Sequence, residues 1–95
     1  VSGNEITLID VIGDNSESVV DEVDLKMQVV RLYNKMKAVL KNREKIVLEL
    51  RYGLLSGVGK TQREVASMLG ISRSYVSRIE KKAIKKLNKE LKVEN

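Results

Sequence analysis

Gln62-Arg63-Glu64-Val65-Ala66-Ser67-Met68-Leu69-Gly70-Ile71-Ser72-Arg73-Ser74-Tyr75-Val76-Ser77-Arg78-Ile79 reads as two short helices meeting at a tight turn. Helices that cross steeply over three or four residues need a small residue at their closest approach, a residue tolerant of positive φ in the turn, and apolar side chains locking the pair. Ala66 meets the first need and Gly70 the second. Val65, Leu69, Ile71, Val76 and Ile79 meet the third, all in one register. Thr61 with Glu64 has capping-box spacing for the first helix, and Ser72 caps the second. This pattern predicts a helix-turn-helix.

Working outward, the second helix continues from Arg73 toward Leu91 on an inner stripe of Val76, Ile79, Ala83, Leu87 and Leu91. Upstream, apolar residues from Val19 to Leu40 recur at three- and four-residue steps, the mark of an amphipathic helix. Asn42 reads as the N-cap of another helix that runs to about Tyr52, buries Ile46, Val47 and Leu50, and stops at Gly53. The expected architecture is all-α: a four-helix domain over residues 19–95, containing the helix-turn-helix. An acidic, mostly irregular linker at residues 1–18 precedes it, with Gly3, Gly13, Asn15 and Ser16 as turn-formers.

Charge divides along the same line. Residues 1–24 carry seven acids and no Lys or Arg, whereas all 18 bases and only six acids lie in residues 25–95. A surplus of twelve positive charges on one small domain suits a nucleic acid, though an anionic membrane or an acidic protein would also be attracted. The acidic lead reads either as a solvated linker or as a mimic of an acidic ligand within a larger assembly.

Composition removes most other chemistry. With no Cys and no His, thiol nucleophiles, thiolate zinc sites and the commonest general base are absent, and an enzyme is not expected. The lack of Cys fits an intracellular protein, and no apolar run reaches the length of a membrane span. Starting at Val1, the chain is expected to be a piece of a longer protein. Asp10, Asp14, Glu17 and Asp21 lack the pattern of a calcium loop. Gly57-Val58-Gly59-Lys60-Thr61 imitates the end of a P-loop, but Leu54 stands where the first glycine should be and a helix precedes it. Neither a metal, a nucleotide nor another cofactor is implied, nor a small-molecule substrate.

On the helix after the turn, Ser74, Ser77, Arg78, Lys81 and Lys85 fall opposite Val76. The first turns of such a helix enter the major groove, where Arg pairs with guanine and Ser with several base edges. Arg73, Ser74, Tyr75, Ser77 and Arg78 are therefore base-reading candidates, Tyr75 being equally suited to cover the edge of the core. Lys81, Lys82 and Lys85 are candidates for the DNA backbone. Lys60, Thr61, Gln62 and Arg63 join them at the amide-rich start of the preceding helix. Only three aromatics, all Tyr and widely separated, argue against the stacking platforms of single-strand binders.

Leu48-Glu-Leu-Arg-Tyr-Gly-Leu54, a short loop, and Lys60 through Leu87 together resemble the C-terminal promoter-reading region, region 4, of bacterial RNA polymerase sigma factors. The Ser72-Arg-Ser-Tyr-Val-Ser-Arg-Ile-Glu-Lys81 run is most similar to sporulation-type members, and Gly3 through Val11 looks like the linker that precedes the region. The resemblance implies a cytoplasmic bacterial protein that binds the −35 promoter element of double-stranded DNA and docks on the β flap of core RNA polymerase. By position, Arg73, Ser74, Ser77 and Arg78 would read bases, and Lys60, Arg63 and Lys81 would hold backbone. The linker would thread toward the polymerase active centre. Housekeeping members carry charged residues where this chain has Ser74 and Tyr75, so its preferred element should differ. Two other readings stay open: a free-standing regulator with a dimeric helix-turn-helix of response-regulator effector type, and a module that binds an anti-sigma or other acidic protein.

Overall fold

The computed structural model describes residues 3–12 and 22–93. It contains α1 (Gly3–Ile12), α2 (Glu22–Val39), α3 (Asn42–Tyr52), α4 (Gln62–Leu69) and α5 (Arg73–Val93), and among the described residues there is no strand. The all-α expectation and the positions of the two helices of the motif hold. No helix of the described residues is long and apolar enough to cross a membrane.

The helix ends follow local chemistry. Gly53 and Gly70 terminate α3 and α4 at φ of 62° and 70°, a left-handed conformation that a Cβ would strain. The Thr61 hydroxyl accepts from the Glu64 N–H at 3.0 Å while the Glu64 carboxylate accepts from the Thr61 N–H at 2.8 Å, closing the expected capping box. Ser72 accepts from the Tyr75 N–H at 3.1 Å at the start of α5. The start of α3 differs from expectation: Lys41 is the capping position, and Asn42 is already helical. The reason is the Glu44 carboxylate, which accepts the Lys41 N–H at 2.9 Å and moves the boundary one residue upstream.

Packing is organised in two clusters joined by α5. Val47, Val65, Ala66, Val76 and Ile79 form the core of the helix-turn-helix. Leu8, Ile12, Leu32, Met36, Leu40, Leu48, Ala83 and Leu87 form the second. Along α5 the inner stripe thus passes from one cluster to the other between Ile79 and Ala83. On α3 the neighbours Val47 and Leu48 do the same, each without exposed surface. Ile46, expected to point inward, lies on the outer side and is 42% exposed, because Val47 and Leu48 already fill the two inward directions.

The largest departure concerns the acidic lead. Gly3–Ile12, expected to be mostly irregular linker, is a helix whose Leu8 and Ile12, one turn apart, are buried in the second cluster. Spacing of four places both on one helical face. Polar contacts fix the register: Asn4 Nδ2 donates to the Tyr52 carbonyl at 2.8 Å, and the Tyr33 hydroxyl donates to Glu5 Oε2 at 2.8 Å. Burial, followed by that bond to Glu5, pushes the Tyr33 hydroxyl up to about 12. Residues 13–18 of the expected linker lie outside the described residues, as do residues 19–21 of the expected first domain helix.

Two outcomes follow from this packing. Leu8→Ala should lower unfolding stability by about 2–5 kcal/mol, the usual range for emptying a buried leucine site, whereas Val11→Ala on the exposed side should change it by less than about 0.5 kcal/mol. Urea titrations of the two variants check this, and equal midpoints would place α1 off the core. The second concerns pH. Burial alone would raise the Glu44 carboxyl, but the Lys41 N–H and the Lys86 ammonium at 2.9 Å hold it below its ordinary 4.5. A lowered folded pKa contributes stability that is fully present above the ordinary value and is lost as pH falls toward the lowered one. Thermal melts between neutral pH and pH 3 should show that loss for the wild type and a smaller one for Glu44→Gln.

Candidate nucleic-acid interface

The outer face of α5 is built by the same periodicity that builds its inner stripe. Since Val76, Ile79, Ala83 and Leu87 take the buried side, Arg73, Ser74, Tyr75, Arg78, Lys81, Lys82 and Lys85 are left exposed, and Ser77 is half-buried. Seven of the eight positions expected on this helix therefore stand clear of the core. From residue 73 to residue 89 the helix has one acid, Glu80, and that residue is buried. The exposed face is accordingly cationic and hydroxyl-bearing throughout.

Tyr75 is exposed rather than tucked against the core edge. The Arg43 guanidinium of α3 lies over its ring at 6.0 Å from the centroid, within the range of a cation–π contact. This arrangement adds an exposed cation beside the start of α5 that the sequence reading did not include. With 32 residues separating Arg43 from Tyr75, no local pattern connects them.

The start of α4 is held by a polar cluster centred on Glu80. Its Oε1 accepts from Arg51 Nε at 2.9 Å and from Gln62 Nε2 at 3.0 Å. Its Oε2 receives the Tyr52 hydroxyl at 3.5 Å. Arg51 also donates through Nη1 to the Lys60 carbonyl at 2.6 Å, and the Lys60 N–H bonds the Leu50 carbonyl at 3.0 Å. Burial, followed by the Glu80 charge, raises the Tyr52 hydroxyl above its ordinary value of 10.0, so it remains a donor. The loop is tight enough that a Cβ on Gly59 would meet the Arg51 carbonyl at 2.6 Å. One carboxylate thus gathers side chains from the end of α3 and the first residue of α4.

This cluster sorts the expected backbone contacts. Thr61 and Arg63 are exposed and Lys60 is half-exposed. The Thr61 oxygen accepts within the capping box, which leaves its hydroxyl proton free to donate. Glu64 is held below its ordinary value mainly by the Thr61 N–H, and it closes the cap as a carboxylate. Gln62 is the exception: it is half-buried, and its amide nitrogen is engaged by Glu80. The sequence reading missed Arg51 and Glu80 themselves. The available signal was the place of Glu80, next to Ile79 and one turn from both Val76 and Ala83, which makes it an inward-facing acid on a basic helix. Among the described residues no group of His, Cys, Asp and Glu is arranged to hold a metal.

Comparison with known proteins matches this geometry to a family. Residues 38–89 match the family described as Sigma-70, region 4. The chain is 49% identical to the RNA polymerase sigma-K factor of Bacillus subtilis over 85 residues, covering 90% of this chain and 29% of that protein. It is 49% identical to the RNA polymerase sigma-28 factor of Bacillus thuringiensis subsp. kurstaki, covering 90% of this chain and 35% of that protein. For the RNA polymerase sigma-E factor of Clostridium acetobutylicum the identity is 48% over 90 residues, covering 94% and 37%. The chain therefore spans about a third of the length of the curated relatives it matches. No solved structure matches it.

Proposed function

Because this chain belongs to the Sigma-70 region 4 family, we propose that it is the promoter-reading domain of a sigma factor of the sporulation type. It binds the −35 element of double-stranded DNA through α5 and works in the bacterial cytoplasm with core RNA polymerase. The observation that carries the reading is the outer face of α5, where Arg73, Ser74, Arg78, Lys81, Lys82 and Lys85 are exposed and the one acid of that stretch is buried. Such a face can enter a major groove without placing a negative charge against the phosphates.

Within that reading the roles divide by position. Arg73, Ser74, Ser77 and Arg78, in the first two turns of α5, read base edges, and Tyr75 stands beside them under Arg43. Lys81, Lys82 and Lys85 lie farther along the helix and hold backbone, as do Lys60, Thr61 and Arg63 at the start of α4. The module acts by binding and carries no catalysis. Docking on the β flap is the finer part of the proposal and comes from the family resemblance. An anti-sigma protein would have the same basic surface available. A free-standing regulator gains nothing from the relatives named above, which are sigma factors over 90% or more of this chain.

Transcription from a promoter library by core polymerase with the full-length factor tests the reading. Arg78→Ala should weaken binding by about 1–3 kcal/mol, with the loss concentrated at one base position whose preference relaxes. Lys85→Ala should lower the salt slope by about one or less and leave the selected sequence unchanged. A uniform loss for Arg78→Ala would reassign that residue to phosphate. For the docking, the chain should retain the isolated β flap in a pull-down, and failure to do so would remove the flap from the proposal while leaving the DNA reading intact.

A further inference from the structure

We infer that Glu80 is a positioning residue for DNA-backbone binding, fixing where Lys60–Arg63 at the start of α4 lies relative to the base-reading turns of α5. The inference rests on the promoter-reading role proposed above and assigns a part of it to a side chain that faces away from the DNA.

Glu80 is 7% exposed and sits two residues beyond Arg78 on α5. From there its carboxylate takes Gln62, the first residue of α4, directly at 3.0 Å. It takes Lys60, two residues earlier, indirectly, since Arg51, paired with Glu80 at 2.9 Å, uses a second nitrogen to hold the Lys60 carbonyl at 2.6 Å. Two residues at the entry to α4, on either side of Thr61, are thus referred to one point on α5. Apolar contacts between the helices are non-directional, whereas hydrogen bonds to one carboxylate specify distance and direction. A 1 Å error at this joint would carry Lys60, Thr61 and Arg63 away from phosphates while α5 remained in the groove. The same geometry changes the part of Gln62. With its amide engaged by Glu80, Gln62 acts on DNA through the anchor rather than by touching a phosphate.

A double-mutant cycle separates these roles. The full-length factor is assembled with core polymerase and bound to a duplex carrying the −35 element at several salt concentrations. Glu80→Asp keeps the counter-charge for Arg51 but shortens the reach by one methylene, and Gln62→Ala removes the other end of the bond. Each single change should lower the salt slope by about one, the equivalent of about one lost phosphate contact, with the base preference unchanged. The double variant should lose no more than the larger single loss. Additive losses would mean that Gln62 contacts DNA itself and would overturn the inference. A wild-type slope in Glu80→Asp, with only a lowered melting temperature, would reduce Glu80 to a stabilising residue and overturn it as well. Should Glu80→Asp lose helicity in far-UV circular dichroism, Glu80→Gln takes its place in the cycle with the same expected outcomes. If the wild-type holoenzyme shows no preference for any −35 sequence, the promoter-reading role itself falls, and the positioning role with it.

Discussion

One buried carboxylate sets the geometry on which the rest of this domain depends. Glu80 would be costly to bury alone, since an ionised group removed from water must be paired and hydrogen-bonded to be tolerated. Arg51 supplies the counter-charge, and Gln62 and Tyr52 supply further donors. Those partners come from α3 and α4, so satisfying one side chain of α5 requires three helices to be in one arrangement. Hydrophobic burial drives the helices together, and this cluster ties the end of α3 and the start of α4 to one point on α5. The sharp loop at Gly59 belongs to the same constraint, because Arg51 also holds the Lys60 carbonyl.

A long terminal helix gives the molecule its continuity. Over 21 residues α5 runs from the helix-turn-helix core into the second cluster, where α1, α2 and α3 meet it. Its inward face is apolar apart from Glu80 and the buried Asn88 Oδ1, and its outward face is cationic. A displacement of α5 would therefore disturb both cores together, which ties the orientation of the exposed Arg and Lys side chains to the packing of the whole body. The acidic lead is part of that body through Leu8 and Ile12. Two of its seven acids, Glu5 and Asp10, lie on the same helix as those core residues.

Much of this was legible from local pattern. Helix stops at Gly53 and Gly70, the capping box of Thr61 and Glu64, the Ser72 cap and the inner stripe of α5 all involve residues within four positions of one another, where spacing alone implies contact. The exposed candidates of α5 followed from the same periodicity read on the opposite side. What escaped was either a choice between neighbouring local solutions or a non-local contact. Ile46 was assigned inward by its spacing on α3, but Val47 and Leu48 occupy that space. Asn42 looked like a cap until the Glu44 carboxylate took the N–H one residue earlier. Gly3, Gly13, Asn15 and Ser16 make the acidic lead look mostly irregular, and a short acidic helix has little reason to form until the core receives its two apolar residues, Leu8 and Ile12.

The sequence by itself determined the helical class, the turn between α4 and α5, the separation of acidic lead from basic domain, and the family. Each of these is carried by periodicity, composition or a contiguous motif. Only the tertiary structure decided that α1 joins the core, that Arg43 lies over Tyr75, and that Gln62 answers to Glu80 instead of facing outward. Those contacts span 18 to 48 residues of chain, as in Gln62 with Glu80 and Asn4 with Tyr52. No helical period links such pairs, and they exist because packing first brings the helices side by side and buried polar groups then find the partners within reach.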